Sequence, residues 1–378
     1  MDELDLRSIE VSSDSKSFRT EFSIFGSRGY RLPRELALRL SLVGLGFLVF
    51  FGIGEILCRL FFPDTHLRYV ADQHALYYLE PNQVGTISLA DGSPSPLAHI
   101  DHWGFRYSGV KRREARRILV LGDSLTFGSG VSDRETFSIL LDQAYGGDVA
   151  VINGGQPGYG VYQMAETLRR VGESIRPRLV VVVLWQGDLL RQPLDAAEQQ
   201  RFFRKARLLR FVRLSVFLTH IGRRLERFLL RYGADTRVIG DATEPAGSDP
   251  NRIVDAYLRG FEADAPRILE MHRQAQQYGQ GLLLVLWPKE DFITGAEVGV
   301  AEPLTNTIGE FARRHGIPFI SLQPVMQRMP PVSLAIPHDG HPTPLAHCLA
   351  ARYLASEIGR LGFSTLQPIR CSTNEAVP

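Results

Sequence analysis

The residue best placed to act as a nucleophile is Ser124, which follows an apolar run in the segment ILVLGDSLTFGSGV, residues 118–131. A serine hydroxyl attacks a carbonyl only when a base removes its proton and N–H donors stabilise the oxyanion that forms. The segment HDGHPTPLAHC supplies Asp339 and His341, just before a helix with Pro342 in its first turn. These residue types predict acyl transfer by a serine, an imidazole base and an orienting carboxylate.

Other uses of the same residues stay open on residue type alone. Ser124 would also suit the N-cap of the helix that follows it. His338, His341 and His347 are close enough in sequence to suggest a metal site, but zinc needs three or four ligands oriented by further contacts. We expect no metal and no cofactor. The G-x-S-x-G elbow of α/β-hydrolases is absent around Ser124, and so is the Gly-Lys-Ser/Thr of a phosphate-binding loop.

The elements that must position these residues follow from the hydrophobic pattern. Five apolar runs alternate with segments of helical periodicity: RILVLG, DVAVING, LVVVVLW, GLLLVLW and IPFISL. Strands that are apolar at nearly every position are buried on both faces, as parallel strands between two helix layers are. We predict a three-layer α/β/α fold with a doubly wound, five-stranded parallel sheet in the flavodoxin-like order 2-1-3-4-5. Ser124 then lies at the carboxyl end of the first strand, where such folds bind ligands.

Three segments resemble the conserved blocks of the SGNH, or GDSL, hydrolases. GDSLTFGSGV is similar to the first block, VINGGQPGYG to the second and DGHP to the last, and the resemblance covers about residues 100–362, including the GFR at residues 104–106. It implies that Ser124 is the nucleophile and that its own backbone N–H is one oxyanion donor. Gly158 matches the second donor, His341 the general base and Asp339 its orienting partner.

The sequence departs from this family pattern at two points. The third block normally reads Gly-x-Asn-Asp, whereas LWQGDLL places Gly187 where the donor asparagine belongs. Either Gln186 reaches in from the neighbouring position or the site works with backbone donors. Asp339 precedes His341 by two residues where many members have three, a spacing that is similar to polysaccharide O-acetyltransferases of the alginate type.

An apolar stretch near the N-terminus is long enough to cross a bilayer. Leu40–Gly54 carries no charge, and about 20 helical residues suffice for a membrane. We predict a transmembrane signal-anchor helix over residues 36–62 rather than a buried core helix. No small-x-small cleavage site follows it. The flanking arginines place the N-terminus in the cytoplasm; they are Arg28, Arg31, Arg34 and Arg39 before the span, against Arg59 and Arg68 after it.

The remaining sequence divides by composition. We expect a disordered cytoplasmic tail over residues 1–35, an irregular or β-hairpin arm over 63–115, the SGNH hydrolase-like domain over 116–365 and a tail over 366–378. An insertion over residues 189–250 contains a strongly basic stretch, 201–231, that predicts one or two amphipathic helices. Two roles stay open for it: a cationic face on anionic lipid, or a cap packed over the active site.

Charge and cysteine content exclude other classes. The formal net charge of +2 predicts no nucleic-acid partner. There are three cysteines and no CxxC pair, which excludes a disulfide scaffold and a cysteine zinc site but allows a bridge between Cys348 and Cys371. Bulky residues before Cys58 argue against a lipoprotein cysteine.

Together these features predict a single-pass protein of the inner (cytoplasmic) membrane with a periplasmic or otherwise extracytoplasmic serine hydrolase domain. Its expected substrate is an acylated small molecule or glycan. Water as the acceptor would make it an esterase, and a sugar hydroxyl would make it an O-acetyltransferase. Because the donor asparagine is replaced by Gly187, a non-catalytic scaffold of an envelope assembly complex is the alternative from another class.

Overall fold

The computed structural model describes residues 33–371 apart from residues 91, 110–114, 232–249, 289–297, 331–332, 364 and 366. Nearly all of the predicted tail 1–35 therefore lies outside the described residues. The chain divides into two compact units, residues 1–56 and 57–378.

Helix α1, Arg34–Phe61, contains most of the predicted span. Among the described residues it is the one helix that is long and apolar enough to cross a membrane. None of its residues is buried, and its leucine, valine, isoleucine and phenylalanine side chains are mostly exposed. At 1.5 Å per residue the helix is about 42 Å long, which exceeds the hydrocarbon thickness of a bilayer.

Two short antiparallel pairs follow in the segment that the sequence predicts as an arm. Strands β1, Tyr69–Asp72, and β2, Leu76–Leu79, form the first pair, and β3, Gln83–Gly85, and β4, Ala98–Ile100, form the second. The buried Gln156 fastens this arm to the main domain. Its Oε1 accepts the Leu79 N–H at 3.0 Å, and its Nε2 donates to the Gly104 carbonyl at 2.7 Å.

The main sheet has five parallel strands. They are β5, Arg116–Leu121, β6, Val149–Asn153, β7, Leu179–Trp185, β8, Leu282–Trp287, and β9, Phe319–Ser321. Their spatial order is β6-β5-β7-β8-β9, which confirms the predicted order 2-1-3-4-5.

Helices cover both faces of this sheet. The helices after α1 are α2, Ser124–Phe127, α3, Phe137–Ala144, α4, Val161–Ile175, α5, Ala196–Val212, α6, Val216–Arg231, α7, Pro250–Tyr278, α8, Val298–Arg314, α9, Gln323–Met326, and α10, Pro344–Arg360. Because side chains alternate along a strand, Leu119 of β5 belongs to one buried cluster with residues of α4, α7 and α8, while Val120 belongs to a second cluster with residues of α3 and α10. The strands are thus apolar at nearly every position because each contributes to two cores.

The end of the chain is fastened to the second of these cores. A disulfide joins Cys348 of α10 to Cys371, as the cysteine count allows. The Gln367 N–H donates to the Ala144 carbonyl at 3.0 Å, and Ile369 packs against the same core. Residues 367–371 of the predicted tail therefore belong to the folded domain.

Candidate active site

Ser124 is the first residue of the short helix α2, immediately beyond the end of β5. Asp123 caps this helix, since its Oδ1 accepts the Leu125 N–H at 2.9 Å, and Gly128 ends it with a φ of +85°. A left-handed residue at a helix C-terminus favours glycine. This tight turn leaves Ser124 half-buried, and Ser124 lines the pocket described below.

The end of β6 packs directly against the turn that carries Ser124. The Asn153 amide donates to the Thr126 carbonyl at 2.9 Å, and its Oδ1 accepts the Gly155 N–H at 3.1 Å. A Cβ on Gly155 would lie 2.3 Å from the Phe127 nitrogen. Glycine is therefore required here for the two loops to approach each other.

Arg106, in the GFR segment, binds the backbone at the end of α2 and in the loop that follows it. Its side chain is only 1% exposed, yet it donates to the carbonyls of Phe127, Gly128 and Val131 and to the Asp133 carboxylate at 2.8 Å. A guanidinium can satisfy four acceptors at once because its donors point in fixed, diverging directions. Arg106 thus fixes the loop that follows Ser124.

Asp339 and His341 come together in the turn before α10. The Ile336 carbonyl accepts the N–H groups of both Asp339 and Gly340, and the Ile336 N–H returns to the His341 carbonyl at 2.8 Å. In this turn His341 Nδ1 hydrogen-bonds Asp339 Oδ1. The Asp339 side chain is 2% exposed and that of His341 is 25% exposed, so the imidazole reaches solvent while its carboxylate partner does not.

The arm also contributes to this dyad. The Ala90 N–H donates to the second oxygen of Asp339, Oδ2, at 2.6 Å. Burial alone would raise the pKa of Asp339, but the hydrogen bonds from His341 and Ala90 lower this pKa below its usual value. The carboxyl group therefore stays ionised beside the imidazole. The contact from Ala90 is not apparent in the sequence, because 249 positions separate the two residues.

A cavity of about 940 Å³ brings the predicted site residues together. Ser124, Asp339, His341, Gly158 and Gly187 all line it. Among the described residues, no hydrogen bond joins Ser124 to His341. Instead, the Ser124 hydroxyl lies 3.5 Å from Asp123 Oδ2. The pocket walls are more apolar than polar, and Trp185 and Trp287 both contribute to them.

The predicted oxyanion donors differ in where they lie. Gly158 has a φ of +80°, and a Cβ on it would lie 2.7 Å from the Tyr77 hydroxyl. The Gln186 side chain is buried, and its Oε1 has no hydrogen-bond partner; Gln186 does not line the cavity. At Gly187 a Cβ would lie 1.7 Å from the Trp185 ring. The indole therefore occupies the space into which a side chain at position 187 would extend.

A buried ionic cluster lies behind Ser124. Arg191 Nη1 contacts Asp188 Oδ1 at 2.7 Å, Asp123 Oδ2 at 3.2 Å and the Tyr159 carbonyl at 2.9 Å. Burial and the nearby Asp123 raise the pKa of Asp188, and Arg191 opposes this rise. Sequence analysis missed Arg191, although its position three residues after Asp188 in the third block was visible.

His347 lies apart from the dyad. Its ring packs between Phe137 and Trp287 in the core, with ring centroids 5.9 and 5.7 Å away. Burial, with smaller effects from Arg106 and His341, lowers its pKa to about 3. The three C-terminal histidines therefore do not face one common site: His347 is fully buried, whereas His338 is exposed.

Comparison with known proteins gives one family match. The profile of the GDSL-like Lipase/Acylhydrolase family matches residues 120–349, which is more than half of the chain. No curated protein matches the sequence.

Several solved structures are similar over about two thirds of the chain. One is a lipolytic protein of the G-D-S-L family from Veillonella parvula, with 15% identity, 65% of this chain and 98% of that chain covered, and a TM-score of 0.37. Another is a catalytic mutant of the acetylxylan esterase Axe2 from Geobacillus stearothermophilus, with 16% identity, 66% of this chain and 97% of that chain covered, and a TM-score of 0.39. A third is the aryl esterase of M. smegmatis in an inhibitor-bound form, with 17% identity, 65% of this chain and 100% of that chain covered, and a TM-score of 0.38.

Proposed function

This chain belongs to the GDSL-like lipase/acylhydrolase (SGNH) family, and we propose that it is a serine esterase or acyl-transferring enzyme with Ser124 as nucleophile. The proposal rests above all on the hydrogen-bonded Asp339–His341 dyad, which lines the same cavity as Ser124. His341 is the general base and Asp339 orients it.

The reaction follows from the orientation of the imidazole. Because Nδ1 is engaged by Asp339, Nε2 is the ring nitrogen left to accept the Ser124 proton. Oγ then bonds to the acyl carbon, and the carbonyl electron pair moves to oxygen. When that pair returns, the ester C–O bond breaks and the leaving alkoxide takes the proton from His341. An acceptor hydroxyl repeats these steps on the acyl-enzyme and regenerates Ser124.

The oxyanion would be stabilised by backbone donors. We assign this role to the N–H groups of Ser124 and Gly158, since both residues line the cavity. The family's side-chain amide has no counterpart at Gly187. Loss of one such donor typically costs about 100- to 1,000-fold in rate, so modest turnover of simple esters is expected.

An active-site probe tests the nucleophile. A fluorophosphonate should label the full-length protein in detergent and fail to label Ser124→Ala, while Ser174→Ala, a change at a remote serine that bonds within α4, should label normally. His341→Ala should lower hydrolysis of an aryl acetate by about 10⁴-fold or more. Failure of the wild type to react would favour the scaffold alternative.

O-acetyl transfer to an exported or envelope polysaccharide is the second candidate. The two-residue spacing from Asp339 to His341, similar to alginate-type acetyltransferases, favours it. The steps up to the acyl-enzyme are shared, so the acceptor decides. An aryl acetate should be turned over with and without an oligosaccharide, and the products weighed by mass spectrometry. An oligosaccharide that gains no acetyl mass and leaves the hydrolysis rate unchanged would exclude transfer.

We further propose that α1 anchors the protein in the cytoplasmic membrane with the catalytic unit on the extracytoplasmic side. Two observations support this. The exposed apolar side chains of α1 would be costly in water, and the Cys348–Cys371 disulfide fits an oxidising compartment. An alkaline phosphatase fusion after residue 70 should be active, and an inactive fusion would reverse the orientation.

A further inference from the structure

Helices α5 and α6, within the predicted insertion, expose apolar side chains beside positive charge. Phe202, Phe203 and Ala206 of α5 pack on the core. Beyond them several apolar side chains point outward. Six of them are 37–72% exposed and form what we call the α5–α6 surface: Leu208, Phe211, Leu214, Leu218, Ile221 and Leu225.

The spacing of these residues is that of a helix face rather than of scattered exposure. Leu218, Ile221 and Leu225 follow each other at intervals of three and four, which places them on one side of α6. On α5, Leu208 and Phe211 are likewise three residues apart. Exposed apolar residues aligned on one helix face mark a site that another apolar phase or partner covers.

The charge of this segment selects the kind of partner. Residues 201–225 contain no Asp or Glu, and their basic residues are Arg201, Arg204, Lys205, Arg207, Arg210, Arg213, Arg223 and Arg224. Two copies of so cationic a surface would repel each other. Apolar side chains flanked by arginines instead match the headgroup and acyl boundary of an anionic bilayer.

Hydrogen bonds place the corner between α5 and α6 at the end of the proposed anchor. Arg59 Nη2 donates to the Leu214 carbonyl at 3.3 Å, and His220 Nε2 lies 2.7 Å from the Phe62 carbonyl. The ring centroids of Phe62 and His220 are 6.4 Å apart. If α1 spans the bilayer, residues 59–62 mark the membrane boundary, and the α5–α6 corner is held at the same level.

We propose that the α5–α6 surface lies on the extracytoplasmic leaflet of an anionic membrane, with its leucine and phenylalanine side chains inserted and its arginines on lipid phosphates. This inference rests on the proposed anchoring by α1. It also bears on access to the active site, because Arg213, between the two helices, lines the catalytic cavity. The cavity then lies near the lipid headgroups.

Depth measurements on the full-length protein test the proposal. Spin labels at Phe211→Cys or Leu218→Cys, in a Cys58→Ser background with the disulfide intact, are placed in nanodiscs that contain phosphatidylglycerol. In lipid, a label collides more with oxygen and less with a nickel chelate. We expect an oxygen-to-nickel ratio several-fold above that of a label at Glu173→Cys, a side chain 78% exposed on α4.

Charge variants test the lipid preference. Each arginine near an anionic surface changes the ratio of membrane-docked to undocked α5–α6 surface by about fivefold. Arg207→Gln and Arg210→Gln together should therefore reduce this docking ratio by about 25-fold. Arg273→Gln and Arg314→Gln remove equal charge from exposed positions on α7 and α8 and should not change it. In discs of phosphatidylcholine alone, the docking ratio of the surface with all its arginines should also be lower.

A fourth label, at Leu48→Cys, separates failure of this inference from failure of the anchor. If position 48 collides with oxygen while positions 211 and 218 match position 173, the anchor stands and the surface inference is overturned. If position 48 is also open to nickel, both are wrong. Low collision with both reagents at 211 and 218, with dipolar broadening in discs that hold two copies, would assign the surface to a second copy instead.

Discussion

At the residue scale, Trp185 and Gly187 form a matched pair. The indole ring lies where any side chain at position 187 would begin, and it also lies 5.6 Å from the Arg191 guanidinium. An asparagine at position 187 would therefore require the ring to move. The aromatic pocket wall formed by Trp185 and the absence of a side chain at position 187 are thus structurally linked.

This pairing predicts an activity that depends on both positions. Gly187→Asn alone should destabilise the protein by about 1–3 kcal/mol through overpacking and should not raise activity. With Trp185→Ala the amide has room, so the double variant should exceed Trp185→Ala in kcat on an aryl acetate by about 10- to 100-fold. Equal rates for the double and single variants would mean that position 187 does not face the oxyanion.

Gly158 permits a second test with a matched control. Gly158→Ala places a methyl group at a positive φ and against the Tyr77 hydroxyl. Gly362, with a φ of +87°, has nothing within 4 Å of its Cβ position, so Gly362→Ala introduces similar backbone strain, about 1 kcal/mol, far from the cavity. If Gly158 supplies an oxyanion donor, its variant should lose at least about tenfold in kcat, whereas Gly362→Ala should lose only stability. Similar kcat values for the two variants would contradict the assignment.

At the scale of elements, the loop after Ser124 depends on Arg106. Arg106→Lys keeps the charge but cannot reach three carbonyls and Asp133 together, and each lost charged hydrogen bond costs about 1.5–3 kcal/mol. We expect lower kcat and a lower midpoint of thermal unfolding. Arg169→Lys, in an exposed pair with Glu166, should cost less than about 1 kcal/mol. If Arg106→Lys were as mild as this control, the four contacts would not support the loop.

Among the elements, the strands of the main sheet could be predicted from the sequence, whereas the contacts made by the arm could not. Strands buried on both faces are apolar at nearly every position, so the five runs and their order could be predicted. Because the strands are parallel, the carboxyl ends of the first and fifth strands lie at the same edge of the sheet. The positions of Ser124 and His341 could be predicted, because both residues follow strands that end at this edge. The contacts of Ala90 and Arg106 could not be predicted, because both residues lie in an arm whose short strands have no strong periodicity. Arg191 was missed because its role depends on burial beside two carboxylates.

At the scale of the whole molecule, the stability of the domain should depend on pH through His347. Its pKa in the folded protein is about 3, against about 6.5 in an unfolded chain. Above pH 6.5 both states are neutral and the stabilisation is fully present. As the pH falls from 6.5 toward 3, only the unfolded state takes up the proton, so stability is lost at about 1.4 kcal/mol per pH unit.

Buried carboxyl groups act in the opposite direction, so the effect must be read as a difference between variants. Burial raises the pKa of Asp264 to about 6. The folded state therefore takes up this proton before the unfolded state does, and the contribution of Asp264 to the stability of the fold grows as the pH falls. His347→Gln retains an acceptor for the Phe137 N–H, which His347 Nδ1 now accepts at 3.4 Å. Between pH 7.5 and 5 the wild type should lose about 2 kcal/mol relative to this variant. Urea unfolding followed by tryptophan fluorescence would measure it, because Trp287 packs on the His347 ring. Parallel stability curves would show that His347 takes up its proton equally in both states, and burial of the neutral ring would then not govern the acid sensitivity of the fold.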